Sequence, residues 1–403
     1  MNKAAKTRSL WIIVGITILN AIGMTIVLPL FPFLLGKYVP AENIALVMSA
    51  LFSVFAVCQF FAAPVFGALS DRYGRKSILL ISLLGSAIGY VLLGVGGALW
   101  VLFLGRIIDG LTAGNQSALF AYITDSTEPQ ERGKWFGYLG GAIGLGFMIG
   151  PALGGALGAK SITLPFFITA AITLLSMLCI ALLLPESLAV EHRSKQLTLQ
   201  SFNTFSHFSE IFSLNEARRL LIMGGFFYVG LNIWQFNAVL FLKDVYAWGP
   251  SLIGGIFVLV GICDIISRVI VLPQMLKRFS ERTVGVIGLS GLAIGLMLIF
   301  ISAFIPTAPY FMAAVLFIVL GEGLFDPSYN ARLSMSVDET KQGVLQGVGQ
   351  SLQAVYHVLV PLGAAAIYTY SHGAVFGIAT LFMLCGLVLF VRLKPKLQNG
   401  NLK

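Results

Sequence analysis

Residues 42–96 read ENIALVMSALFSVFAVCQFFAAPVFGALSDRYGRKSILLISLLGSAIGYVLLGVG. Two long apolar runs are interrupted once, by Gly67-Ala-Leu-Ser-Asp71-Arg72-Tyr-Gly74-Arg75-Lys76. An α-helix rises 1.5 Å per residue, so about 20 apolar residues cross the roughly 30 Å of a bilayer's hydrocarbon core. The stretch therefore predicts two membrane-crossing helices joined by a short charged loop at one face. A water-soluble helix pair would need a polar stripe along each run, and neither has one.

The same pattern extends in both directions. Apolar runs of crossing length lie at 9–35, 42–69, 77–96, 99–123, 134–157 and 162–184, and again at 218–242, 250–273, 283–304, 309–332, 343–369 and 373–391. This is an all-α integral membrane protein with twelve expected crossings. Composition agrees: 57% of the 403 residues are hydrophobic and 11% charged, against roughly 45–50% and 25% in soluble domains. The polar segment 186–217, with His192, Arg193, Lys195 and His207, separates a bundle at 1–185 from one at 218–403.

Of the 26 Lys and Arg, Lys37, Lys160 and Lys243 fall on one side of the membrane and Arg106 and Arg268 fall inside runs. All the others lie on the side shared by both termini and the linker, which the positive-inside rule makes cytoplasmic. Because the basic residues occur as short clusters between apolar runs, the net charge of +9 points to a membrane surface and excludes nucleic acid as partner. The first run is too long for a cleaved signal peptide and is expected to stay as the first crossing. Cys58, Cys179, Cys263 and Cys385 lie in apolar runs without the close spacing of a metal site or a disulfide framework, and read as small hydrophobes.

The halves repeat each other in the same orientation. Gly67–Lys76 aligns with Pro273–Arg282, Asp109-Gly110-Leu111 with Glu322-Gly323-Leu324, and Gly133, Gly137 and Pro151 with Gly343, Gly347 and Pro361. Such repeats imply two six-helix bundles about an axis along the membrane normal, with a site between them. These residues resemble the major facilitator superfamily, and within it the twelve-span drug:proton antiporters similar to tetracycline and multidrug exporters. Gly67-x-x-x-Asp71-Arg72-x-Gly74-Arg75-Lys76 is similar to the superfamily's loop signature, Arg106-x-x-x-Gly110 to its span-four arginine motif, and Gly146-x-x-x-Gly150-Pro151-x-x-Gly154-Gly155 to the antiporter motif. Pro29-x-x-Pro32, Leu184-Pro185-Glu186-Ser187 and Gln342-Gly343-x-x-Gln346-Gly347 resemble the tetracycline-exporter branch, whose carboxylates in spans one, three and nine are replaced here by Asn20, Gly89 and Leu292. The resemblance implies the major facilitator fold and proton-coupled export, with Arg106 coupling proton and cargo through Asp109.

Physical chemistry gives the motifs expected jobs. Gly67, Asp71, Arg72, Gly74 and Arg75 form a conformational latch, in which Asp71 faces the helix starting near Gly343 and Arg75 reaches Asp125. Seven glycines, Gly140, Gly141, Gly144, Gly146, Gly150, Gly154 and Gly155, allow close helix approach beside a kink at Pro151. Charges in the bilayer are costly and so are functional candidates: Arg106 with Asp109, Asp264 with Arg268, and Glu322 with Asp326. Asp264 and Arg268 read equally as a structural pair. Glu322 and Asp326, like charges one turn apart with no basic residue nearby in sequence, are the preferred proton carriers, the alternative being that Asp326 caps or solvates a helix end.

The cargo pocket is expected among Asn20, Gln59, Asn115, Gln116, Tyr228, Asn232, Trp234, Gln235, Asn237, Gln350, Gln353, Tyr356 and His357, which suit a bulky amphipathic molecule. The function is thus read as antiport of a drug or a secreted, siderophore-like metabolite by a monomer in a bacterial inner membrane, driven by the proton gradient with no cofactor or metal. A nutrient-importing symporter and a non-transporting receptor or scaffold are the alternatives; with no nucleotide loop, metal cluster or nucleophile motif, an enzyme is not expected.

Overall fold

The computed structural model describes residues 3–188, 191, 193, 208–337 and 342–393, and these are almost wholly helical. The helices are α1 Lys3–Ile26, α2 Phe31–Leu35, α3 Ala41–Tyr73, α4 Arg75–Val95, α5 Leu99–Leu111, α6 Asn115–Ser126, α7 Pro129–Gly158, α8 Leu164–Leu183, α9 Phe208–Ser213 and α10 Asn215–Asp244. They continue with α11 Pro250–Ile266, α12 Leu272–Arg278, α13 Glu281–Ser302, α14 Ala308–Ser334, α15 Gln342–Tyr370 and α16 Ala374–Arg392. Among the described residues, 11 helical segments are long and apolar enough to cross a membrane.

The crossing expected at 99–123 is not one helix. Thr112–Gly114 separates α5 from α6, with Thr112 Oγ1 donating to its own Ile108 carbonyl at 2.8 Å. A threonine bonding back to the preceding turn competes with the helical ladder. The first crossing is also broken, by a 3₁₀ turn at Leu28–Leu30 between α1 and α2, where Pro29 and Pro32 lack the N–H that a continuous helix needs. Pro151 lies inside α7, which continues through it as helix. The polar linker is shorter than the sequence suggests, because its end folds as α9 and the start of α10.

Two glycine turns carry positive φ. Gly74 (φ 98°) reverses the chain between α3 and α4, and Gly96 and Gly97 (φ 59° and 85°) do so between α4 and α5, where the Gly97 N–H donates to Tyr38 Oη at 3.1 Å. An L side chain is strained in that region of φ, which explains glycine there.

The chain forms two compact units. The first comprises 1–206, 236–261 and 357–369, and its helices pack α1 on α7, α4 on α8 and α3 on α5. Here Ser53 Oγ donates to the Val358 carbonyl at 2.7 Å, Ser251 Oγ donates to the Gly155 carbonyl at 3.3 Å, and the Phe52 and Phe236 rings lie 5.1 Å apart. The second unit comprises 207–235, 262–356 and 370–403, with α13 packed between α14 and α16. Large apolar side chains point outward throughout, Leu182 at 72% exposure and Val269 at 67% among them. An apolar exterior over satisfied helices is what lipid as solvent demands.

Candidate functional site

The signature loop is held by charge-assisted bonds within the first unit. Arg75 donates from Nε to Asp125 Oδ2 at 2.9 Å and from one terminal nitrogen to Asp71 Oδ1 at 2.5 Å and Ser70 Oγ at 3.1 Å. The contact with Asp125 expected from the motif is therefore present. Arg72 lies over the Tyr73 ring at 5.4 Å instead of joining this network, and Gly67 has open space where a side chain would go. The helix start near Gly343 that Asp71 is expected to face adjoins residues 338–341, which lie outside the described ones.

Glu186 is the member of this network that sequence reasoning did not assign. Its carboxylate accepts the backbone N–H of Arg75 at 2.8 Å, of Lys76 at 3.2 Å, of Ser187 at 3.0 Å and of Leu188 at 3.2 Å. Arg75 and Lys76 open α4, so the carboxylate satisfies donors that have no intrahelical partner at the positive end of that helix. A Cβ at Gly74 would meet Glu186 Cδ at 2.7 Å, a second reason for glycine there. Glu186→Ala is expected to cost about 1 kcal/mol and to lower the thermal unfolding midpoint in detergent, Glu186→Gln less so. An unchanged midpoint in Glu186→Ala would show that the cap is dispensable.

Deeper in the unit, Arg106 and Asp109 are 6% and 5% exposed and bonded at 3.2 Å within α5. Ser86 donates to Asp109 at 2.7 Å, and the Arg106 guanidinium lies 4.0 Å from the Phe55 ring centroid, 5.5 Å from Phe52 and 5.9 Å from Phe31. A buried guanidinium with one carboxylate partner is compensated further by aromatic faces. The phenylalanines were not legible as partners, because they lie on α2 and α3, far away in sequence. Gly89 explains why no carboxylate stands at its position: a Cβ there would lie 2.7 Å from the Gly105 carbonyl oxygen where α4 crosses α5.

Only part of the expected glycine face is used. A Cβ at Gly146, Gly150 or Gly154 would overlap Ala21, Thr25 or Ile26 of α1, and Thr25 Oγ1 donates to the Gly146 carbonyl at 2.8 Å. Gly155, beside the buried Pro151, meets Pro250 and Gly254. Gly140, Gly141 and Gly144 have nothing within 4 Å, so they are not part of a close approach, contrary to the sequence reading. The spacing i, i+4, i+8 selects one helical face, which the other glycines do not share.

In the second unit the fold supplies the cation that the local sequence around Glu322 and Asp326 lacks. Arg268 lies 2.8 Å from Asp264, 3.4 Å from Asp326 and 3.9 Å from Glu322. The two α14 carboxylates, which have no basic residue nearby in sequence, thus gain one through the fold. Local structure aims Arg268. Ser267–Val271 is a π-helical turn between α11 and α12, followed by Pro273, and Ser267 Oγ donates to the Leu320 carbonyl of α14 at 3.2 Å. A π turn takes in one extra residue and rotates the rest of the helix about its axis, and such turns recur at functional sites. Asn330 donates to Asp326 Oδ1 at 2.9 Å, a further partner the sequence did not single out. Three carboxylates around one guanidinium would carry two uncompensated negative charges if all were ionised.

Of the expected cargo residues, Tyr228, Gln350, Gln353 and Tyr356 come together on the wall of one cavity in the second unit. Asn232, Trp234 and Asn237 are at most 9% exposed; Asn232 donates to the Tyr228 carbonyl at 2.7 Å, and Trp234 packs on Phe311 and Phe376. Gln235 and Gln350 are exposed, while Asn20, Gln59, Asn115, Tyr228, Gln353, Tyr356 and His357 are partly buried. His357 stands edge-on to Phe236 at 5.9 Å, and the side chain of Gln116 lies outside the described residues. Asn20 Nδ2 and Arg106 Nε are buried without a hydrogen-bond partner among the described residues.

Comparison with known proteins agrees with this architecture. The chain is 32% identical over 395 residues to the class C tetracycline resistance protein of Escherichia coli, covering 97% of each chain. It is 34% identical over 371 residues to the class H tetracycline resistance protein of Pasteurella multocida, covering 90% of each. Its fold matches the crystal structure of a D-xylose–proton symporter with a TM-score of 0.77 at 16% identity, over 98% of this chain and 100% of the other. The pattern defining the Major Facilitator Superfamily matches residues 13–361. This multi-pass membrane protein therefore belongs to the major facilitator superfamily of transporters.

Proposed function

We propose that the protein exports a small amphipathic organic molecule, a drug or a secreted siderophore-like metabolite, in exchange for protons. On this reading it is a monomer in a bacterial inner membrane with both termini cytoplasmic, and the proton gradient is its energy source without a cofactor. The observation that carries the proposal is the Asp264–Arg268–Glu322–Asp326 cluster, where acid outnumbers base inside membrane helices. Uptake of a proton by Glu322 or Asp326 lowers the uncompensated charge and releases part of Arg268. Each charge moved through 100 mV is worth about 2.3 kcal/mol, enough to bias a balanced two-state equilibrium. On this reading the bundles 1–185 and 218–403, joined by 186–217, are the moving bodies, and the bonds among Asp71, Arg75, Asp125 and Glu186 hold the signature loop of the first bundle in shape.

The likeness to tetracycline resistance proteins makes tetracycline the first cargo to test. The unpaired donors of Asn20 and Arg106 suit its many acceptor oxygens. Everted membrane vesicles holding the protein are expected to accumulate tetracycline, or an amphipathic dye such as ethidium, only while the interior is acidic, and to lose it when nigericin collapses the pH gradient. Accumulation that persists after the collapse would contradict proton coupling.

A further inference from the structure

Within the second unit, α10, α14 and α15 form a partly open cavity of about 30 Å³ whose wall includes Tyr228, Asn330, Gly349, Gln350, Gln353 and Tyr356. A water needs roughly 10–15 Å³ of such space, so the cavity admits about two, whereas organic ligands occupy pockets of roughly 300–1,000 Å³. Amides and phenols on its wall offer the two to four partners that an enclosed water requires. The cavity borders the carboxylate cluster through Asn330, which donates to Asp326 Oδ1 at 2.9 Å and to the Asp326 carbonyl at 3.0 Å, and which hydrogen-bonds with Tyr228. Leu333, the residue before the last of α14, also lines the cavity, so the space leads from the cluster to that helix end.

We infer that this cavity is a water-holding proton path into the Asp264–Arg268–Glu322–Asp326 cluster, with Tyr228 and Tyr356 as its hydroxyl wall and Asn330 as the positioning residue. The inference rests on the proposed proton-carrying role of the cluster. It assigns these polar residues to proton access, where the sequence suggested Tyr228, Gln350, Gln353 and Tyr356 for cargo. A proton reaching the outer water is passed on as each O–H bond breaks and re-forms, and it ends on an Asp326 oxygen with both waters restored. The Asn330 amide relays nothing; its bond holds the Asp326 carboxylate towards the cavity. Around Asp326 stand Arg268 and Asp264 from the π turn and α11, Glu322, Tyr329 and Asn330 from α14, and Tyr228 from α10.

Gly349 has nothing within 4 Å of where a side chain would begin, so Gly349→Leu fills the cavity. The test is a pH jump on the purified full-length protein, following the infrared carbonyl band of protonated carboxyl groups. The band is assigned by its reduction in Glu322→Gln and Asp326→Asn. In Gly349→Leu and in Asn330→Leu the band should reach its full amplitude but rise about ten-fold more slowly, a barrier increase near 1.4 kcal/mol. A merely structural role would change amplitude or folding and leave the rate alone. Wild-type rates in both variants would overturn the path and leave the proton-carrier reading standing. The absence of any wild-type band that depends on Glu322 or Asp326 would overturn both. Should Gly349→Leu not yield a monodisperse protein, Gln353→Leu, which removes a polar wall group at similar volume, carries the same expectation.

Discussion

Arg268→Met should destabilise the protein at neutral pH and recover much of the loss as the pH falls. Arg268 is the cation common to Asp264, Glu322 and Asp326, at 2.8, 3.9 and 3.4 Å. Removing one partner of a fully buried ion pair costs about 3–5 kcal/mol. Arg268 is 35% exposed in its side chain, so solvent reduces this to about 2 kcal/mol. The sign of the pH effect comes from charge. With the guanidinium gone, the folded state holds three carboxylates near one another, which takes up protons more readily than the unfolded chain does. Stability then rises as pH falls wherever the folded state binds more protons. Thermal unfolding at neutral and mildly acidic pH is the measurement. The triple variant Arg268→Met/Asp264→Asn/Asp326→Asn, with a single remaining carboxylate, should recover stability at neutral pH. If Arg268→Met is as stable as wild type at neutral pH, the four side chains do not act as one electrostatic unit.

The second large effect is steric. Gly150→Ala places a methyl group against the Thr25 hydroxyl and the Ile22 carbonyl, and Gly154→Ala places one into the Ile26 carbonyl, where backbone cannot yield as a flexible side chain would. Overpacking of this kind costs about 1–3 kcal/mol, and separating α1 from α7 also breaks the bond from Thr25 to the Gly146 carbonyl. Gly141→Ala and Gly144→Ala meet nothing within 4 Å and should be neutral or gain up to about 1 kcal/mol from helix propensity. The yield of monodisperse protein and the unfolding midpoint of the four variants test this. Equal losses in all four would mean that the glycines act through helix flexibility and not through one contact face.

The contrast within this glycine run shows how far the sequence could be read. Helical crossings were legible because length and hydropathy alone decide them in lipid, and the Gly67–Lys76 loop because its charges can lie only at a membrane face. The side of α7 that meets α1 was not, since seven glycines in one stretch cover more than one face and only the neighbouring helix selects Gly146, Gly150 and Gly154. The pairing within α5 was legible at i, i+3, while the aromatic cage of Arg106 was not, because Phe31, Phe52 and Phe55 reach it through tertiary packing. The sequence pairs Arg268 with Asp264 alone, for the same reason: its approach to Glu322 and Asp326 depends on the π turn at Ser267–Val271, which periodicity does not reveal. Glu186 lies in the Leu184–Ser187 motif, but its role as the anionic cap of α4 becomes visible only once the chain folds back on Gly74.

Proton movement linked to cargo tests the central claim most directly. Purified protein in proteoliposomes, weakly buffered around a pH indicator, should release protons when tetracycline or another exported compound is added. Glu322→Gln or Asp326→Asn should abolish that release while the bound compound is still detected, and Asp109→Asn should weaken it. Release that is undiminished in Glu322→Gln, in Asp326→Asn and in the double variant would contradict the assignment of the proton to the cluster around Arg268.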